Sequence, residues 1–275
     1  MSKKTKRSAT PRNTTQPRDL TRWLERATQQ LATGHYAGAI ATAQRVLRAP
    51  IASPDQRAEA YERLGAAHMM LQQFEEAYMA VSAALEISPT DAMLWYNHGT
   101  TARYTMRIGQ SLRDFERAAA LDVDGMLSDK IAQELAFTRP LVAEALKLRG
   151  RHFTIEQLIT QEELFQQAVE LMQQHHWQQA EQSFRQVIAL GDALPQPQGN
   201  LGLCLLMQRQ FDAAEVALRR ALAIDPDYTI ARQNLAGLSK IRESGQLPAM
   251  QVSRPFEGQN VKRSLAFLLQ DDDAA

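Results

Sequence analysis

The sequence predicts an all-α fold: a right-handed α-solenoid of about six helix-turn-helix hairpins, one of them degenerate, ending in a C-terminal capping helix. Three observations carry this. A phrase about 34 residues long recurs, with Tyr61, Gly65, Phe74, Ala77, Ala84 and Pro89 repeated at equal spacing by Gln198, Gly202, Phe211, Ala214, Ala221 and Pro226. A period of that length marks stacked supersecondary units rather than one closed core. Helix-start and helix-stop signals are frequent, and no segment sustains the period-two alternation of a strand bounded by hairpin turns.

The register follows from the large residue that opens each second helix: Tyr36, Phe74, Ile108, Trp177 and Phe211. Phe74 to Ile108 and Trp177 to Phe211 are each 34 residues, whereas Tyr36 to Phe74 is 38, which places a four-residue insertion at Pro50 to Pro54. Ile108 to Trp177 spans 69 residues, two periods plus one, and predicts a degenerate hairpin between them. Each first helix pairs a large side chain with a small one four residues on: Trp23 with Ala27, Tyr61 with Gly65, Trp95 with Gly99, Leu164 with Ala168. That spacing keeps both on one face, where the small residue admits a neighbouring helix. Ser53 to Gln56, Thr154 to Gln157 and Thr160 to Glu163 each read as a capping box. Pro54 suits a first helical position, and Pro89 and Pro226 end their helices.

These residues resemble the tetratricopeptide repeat family over about residues 21 to 243. The match is close in the second and fifth hairpins. In the third, Trp95, Gly99, Phe115 and Ala118 agree while Ser111 replaces an alanine. The resulting organisation is a disordered basic tail over 1–18, three tetratricopeptide-like hairpins over 19–123, a degenerate helical hairpin over 124–153 in which Pro140 breaks one helix or opens another, further hairpins and a capping helix over 154–243, and an extension over 244–275. In that extension Val261, Leu265, Leu268 and Leu269 have helical spacing before the acidic end Asp271, Asp272 and Asp273.

Charge is balanced, Lys plus Arg 31 against Asp plus Glu 31, so no whole-molecule attraction draws the chain to nucleic acid or anionic membrane. The basic start is followed by no apolar run of signal-peptide type, and no stretch approaches the length of a membrane span. The only cysteine, Cys204, excludes an intrachain disulfide framework and suits a reducing, cytoplasmic compartment. Its apolar context LGLCLLM reads as a buried inert thiol. His175 and His176 are adjacent and cannot converge on one ion as an i, i+4 pair would, so no metal site is expected. No phosphate loop or nucleophile elbow is present, Gly199 to Gly202 lacks a preceding strand, and the expectation is a non-enzyme without cofactors.

The family resemblance implies that first-helix side chains line a concave face that grips a partner segment. In this register the face holds Leu24, Thr28, Leu31, Glu62, Ala66, Met69 and Met70, then Tyr96, Asn97, Thr100, Arg103 and Tyr104. The second half adds Phe165, Val169, Met172, Leu203, Leu206 and Met207. Methionine is unbranched and polarisable and moulds to apolar partners, so Met69, Met172 and Met207 read either as groove lining or as packing between hairpins. Asn97, Asn200 and Asn234 each lie two residues before the small residue of a first helix. An amide there can donate to and accept from a peptide backbone, or can bridge helices. The series resembles the asparagine ladder in the superhelical arm of O-linked N-acetylglucosamine transferase, interrupted here by Arg63 and Gln166. The carboxylate clamp of heat-shock adaptors is unsupported, because Leu24 with Thr28, Glu62 with Ala66, and Tyr96 with Thr100 fill its positions.

The expected function is a protein-interaction scaffold that binds a peptide or helix of a partner, as monomer or homodimer. Two alternatives stand beside it: nucleic-acid association through Lys3, Lys4, Lys6, Arg7, Arg12 and Arg18, and an accessory subunit that positions an enzyme.

Overall fold

A computed structural model describes residues 16–245, and within them the chain forms twelve α-helices and no strand. They are α1 (Pro17–Ala32), α2 (Tyr36–Leu47), α3 (Pro54–Met70), α4 (Phe74–Ile87), α5 (Ala92–Tyr104), α6 (Ile108–Leu121), α7 (Ser128–Arg149), α8 (Ile155–Gln173), α9 (Trp177–Leu190), α10 (Pro195–Met207), α11 (Phe211–Ile224) and α12 (Thr229–Ser244). The five register residues Tyr36, Phe74, Ile108, Trp177 and Phe211 open α2, α4, α6, α9 and α11. The expected C-terminal amphipathic helix and nearly all of the expected basic tail lie outside the described residues.

All five hairpin turns use one backbone solution. The N–H of His35, Gln73, Arg107, His176 and Gln210 donates to the carbonyl five residues earlier, at 2.8–2.9 Å, which satisfies a carbonyl left over at the end of each first helix. One residue before each donor the backbone is left-handed: Gly34, Gln72, Met106, His175 and Arg209 have φ between 57° and 76°. Only the first turn uses glycine there. A left-handed L-residue costs about 1–2 kcal/mol, partly offset by the extra unfolded freedom of glycine. Gln72→Gly is therefore expected to raise stability by about 0.5–1 kcal/mol, read as a higher chemical-denaturation midpoint at unchanged slope.

Contacts divide the chain into two compact units, one through Thr101 and one from Ala102. In the first, Ala39, Ala43 and Val46 of α2 and Ala77, Ala84 and Leu85 of α4 are buried with Leu20, Leu24 and Ala27 of α1 and Ala58, Ala60 and Ala67 of α3. Gly65 sets the approach of α4 to α3: a Cβ there would lie 2.7 Å from Val81 Cγ2. Around the start of α5, the Trp95 indole N–H donates to the Pro89 carbonyl at 2.8 Å, and the His98 ring packs on Tyr78 with centroids 4.5 Å apart. Trp23 is covered by the Arg45 guanidinium, 4.0 Å from its ring centroid.

In the second unit the main core joins Phe165, Ala168, Met172, Phe184, Val187, Leu203, Leu206, Leu218 and Tyr228. Phe165 and Phe184 meet edge-to-face at 5.5 Å. Gly202 repeats the role of Gly65, with its missing Cβ 2.7 Å from Leu218 Cγ. The helix α12 packs on α11 as the expected terminal cover.

The centre corrects the sequence reading. Where a degenerate hairpin is expected over 124–153, the chain makes one 22-residue helix, α7, which runs through Pro140. Its glycine stops, Gly125 and Gly150, both have positive φ and lie outside it, so nothing turns the chain midway. The backbone bond that Pro140 cannot make falls toward exposed Ala136, where water can reach the carbonyl. The 69-residue interval is thus one inserted helix with its loops rather than a hidden repeat. The helix α8 packs directly on α6. Glu162 accepts from the Ile108 and Gly109 N–H groups at 3.1–3.2 Å and so caps the N-terminus of α6, while the Gln166 amide donates to the Thr105 carbonyl at 2.9 Å. Capping boxes form at Ser53 with Gln56 and at Thr154 with Gln157. The third expected capping box, at Thr160, does not form: Thr154 already starts α8, so Thr160 is interior and its hydroxyl donates back to the Glu156 carbonyl.

Candidate peptide-binding groove

The first helices α1, α3 and α5 present one face of the N-terminal unit. Periodicity places Thr28 and Leu31 of α1, Glu62, Ala66, Met69 and Met70 of α3, and Tyr96, Asn97 and Thr100 of α5 on it, and these nine side chains line a single hollow of about 440 Å³. Its floor is completed by Gly65, Val81 and Thr101. Gly65 contributes by absence, since its bare Cα leaves the Val81 methyl at the floor. Met70 is 59% exposed at the rim, and Ala66 is exposed. A second hollow of about 340 Å³ adjoins at Thr28 and is lined by Thr21, Leu24, Glu25, Gln29, Gln56 and Glu59.

Arg63 is the strut between the two. Its Nε donates to the Thr28 hydroxyl at 2.9 Å, and its two terminal nitrogens donate to Glu62 at 2.9 Å and Glu59 at 3.1 Å. The sequence reading treats Arg63 only as an interruption of the asparagine series and does not single out Glu25 or Glu59. The spacing Glu59, Glu62, Ala66, Met69 was nevertheless a visible one-face pattern.

Other expected site residues are placed differently. Phe165, Met172 and Leu203 are 7%, 0% and 1% exposed and belong to the core of the second unit. They cannot line an open groove, and the same holds for Leu206. Met207 is half-buried against that core. The reason is composition. Every residue of α10 from Pro195 to Leu206 is buried, and LGLCLLM offers no polar side chain with which to face water. Asn200 is 1% exposed, which removes it from an accessible ladder. Asn234 is half-buried, and its Nδ2 has no hydrogen-bond partner. Asn97 lines the larger of the two hollows described above. Arg103 is held within the fold, 3.3 Å from Glu134 and over the rings of Tyr104 and Phe137, while Tyr104 is 46% exposed and outside the hollow.

Burial displaces the pKa values of Cys204, Glu162 and Arg149. Burial pushes the Cys204 thiol up to about 12, which keeps it unreactive. Burial also raises Glu162 to about 8, against the opposing pull of the α6 N–H groups and of Arg149, itself lowered to about 10 by desolvation. Among the described residues no cluster of histidine, cysteine and carboxylate is arranged to hold a metal ion, and no helix is long and apolar enough to cross a membrane.

The family model for the tetratricopeptide repeat matches residues 24–92 and 165–229. The chain is a tetratricopeptide repeat protein. Its matched repeats coincide with α1 to α4 and with α8 to α11, and the inserted α7 falls between them. No curated protein matches the sequence significantly. Among solved structures, this tetratricopeptide protein is similar to the TPR2AB domain of yeast Sti1 in its pHSP90 complex, at 12% identity and a TM-score of 0.38 over 93% of this chain and 92% of that one. It is also similar to the TPR domain of P58(IPK), at 16% identity and a TM-score of 0.31 over 91% and 78%. A third similar structure is the apo quorum sensor NprR of B. thuringiensis, at 10% identity and a TM-score of 0.35 over 93% and 84%.

Proposed function

We propose that the protein is a non-catalytic interaction scaffold that holds a peptide segment of a partner protein in the groove of α1, α3 and α5. One observation carries the reading. The repeat positions that are sealed in the second unit are open in the first, where Ala66, equivalent to buried Leu203, is exposed on an apolar floor with Met69, Met70 and Tyr96 around it. A concave, mostly apolar hollow with a few polar groups is the usual shape of a recognition site, and two adjacent methionines let it adapt to the side chain it receives.

Ala66→Arg fills the hollow without disturbing buried contacts and is expected to cut partner capture at least tenfold. The control, Val216→Arg on α11, alters a residue that is 69% exposed in the other unit and should capture partners as the wild type does. Quantitative affinity capture with all three proteins, each with unchanged helical circular dichroism, reads the result. Equal capture by wild type and Ala66→Arg would reject this groove.

A further inference from the structure

The groove carries a charge that narrows its ligand. Three carboxylates, Glu25, Glu59 and Glu62, line the two adjoining hollows against the single guanidinium of Arg63. Arg63 is already divided between Glu59 and Glu62, and Glu25 has no cation partner among the described residues. The acidic positions lie toward the start of α3 and its apolar positions, Met69 and Met70, at its end. From Glu59 to Met69 is ten residues, about 15 Å along a helix. An extended chain covers that distance in about four to five residues.

Asn97 decides between an extended and a helical occupant. Its side chain lines the hollow and has no hydrogen-bond partner among the described residues. A primary amide both donates and accepts, and the backbone groups it could serve are free in an extended segment but consumed inside a helix. Resting on the groove reading above, we propose that the ligand is an extended segment of a partner protein bearing Lys or Arg at one end and an apolar side chain four to five residues away. The cation meets Glu25 and Glu59, the apolar side chain enters between Leu31, Met69 and Tyr96, and Asn97 holds the backbone between. Such a ligand is opposite in charge to an acidic C-terminal peptide, which this face would repel.

The test is fluorescence anisotropy of labelled octapeptides with the full chain at low salt. The probes carry two lysines and two leucines separated by four residues, in both chain directions. Matched peptides replace the lysines by glutamates or the leucines by serines. In its better direction the Lys–Leu peptide is expected to bind at least about fivefold tighter than its Glu–Leu match, with a gap that narrows as salt rises. Glu25→Gln with Glu59→Gln should bring the two within about twofold. The Lys–Ser peptide should not bind. Equal binding of Lys–Leu and Glu–Leu peptides, still lost in Ala66→Arg, would overturn the charge preference and leave the groove. Peptide binding unchanged by Ala66→Arg, or no binding by any leucine peptide either to the wild type or to a variant with Lys3, Lys4, Lys6, Arg7 and Arg12 changed to serine, would overturn both. If peptides bound only after Lys3, Lys4, Lys6, Arg7 and Arg12 were changed to serine, the chain's own tail would be the occupant and the partner proposal would fall.

Discussion

Gly65→Leu is expected to destabilise the N-terminal unit by about 3 kcal/mol, the upper end of typical overpacking costs. The first added carbon alone would sit 2.7 Å from Val81 Cγ2 and 3.5 Å from the Ala77 carbonyl, so α4 must move before the rest of the side chain finds room. Gly202→Leu should behave alike, since its Cβ would meet both Leu218 Cγ and Cδ2 within 2.8 Å. Gly237→Ala is the counter-case. Nothing lies closer than Ile241 Cδ1 at 3.8 Å, and alanine in a helix is favoured over glycine by about 1 kcal/mol, so that variant should gain stability. Denaturant unfolding of the three variants separates close packing from a general intolerance of helix substitution. A Gly65→Leu protein as stable as the wild type would mean that α3 and α4 are not packed as described.

The second large effect concerns pH. Glu162 is raised in the folded protein to about 8 from an ordinary value of 4.5, with desolvation as the first cause. A raised carboxyl binds a proton in the folded state after the unfolded chain has released its own. Its contribution to stability is therefore complete below about pH 4.5 and is lost progressively as pH rises through 8. The wild type should lose about 3 kcal/mol between pH 5 and pH 8.5, a figure discounted from the full shift for relaxation of the buried pair. Glu162→Gln keeps an acceptor for the Gly109 N–H and cannot ionise. It is expected to match the wild type at pH 5, exceed it at pH 8.5 and flatten the profile between. A parallel slope in wild type and variant would assign the pH dependence to other groups.

Hairpin register was legible because each second helix begins with a large apolar residue and each first helix carries a small one at a fixed offset. Those positions are constrained by packing in every repeat, so spacing alone located all five. The insertion of α7 was hidden by arithmetic, since its helix and loops happen to add up to nearly a whole number of periods. Pro140 suggests a helix end or a helix start, whereas its missing bond faces water and the helix continues. The candidate groove was readable on α1, α3 and α5 because periodicity alone fixes which side chains share a face. It misled on α8 and α10. There the same repeat positions hold Phe165, Met172, Leu203 and Leu206, and burial depends on what lies opposite them, which helical periodicity does not encode. The apolar run Leu201 to Met207, interrupted only by Gly202, was the available warning that α10 has no face for water. The turns left the least trace, because four of their five left-handed positions are filled by Gln72, Met106, His175 and Arg209 rather than glycine.

Methionine supplies the most direct test of the groove itself. With [¹³C-methyl]methionine in the full chain, Met69 and Met70 report from the hollow, Met79 from an exposed position outside it, and Met172 from the core of the second unit. Titration with the Lys–Leu octapeptide is expected to shift the Met69 and Met70 methyl signals together, with Met79 and Met172 unmoved. Shifts centred on Met79, or saturable binding that leaves Met69 and Met70 unchanged, would contradict the account.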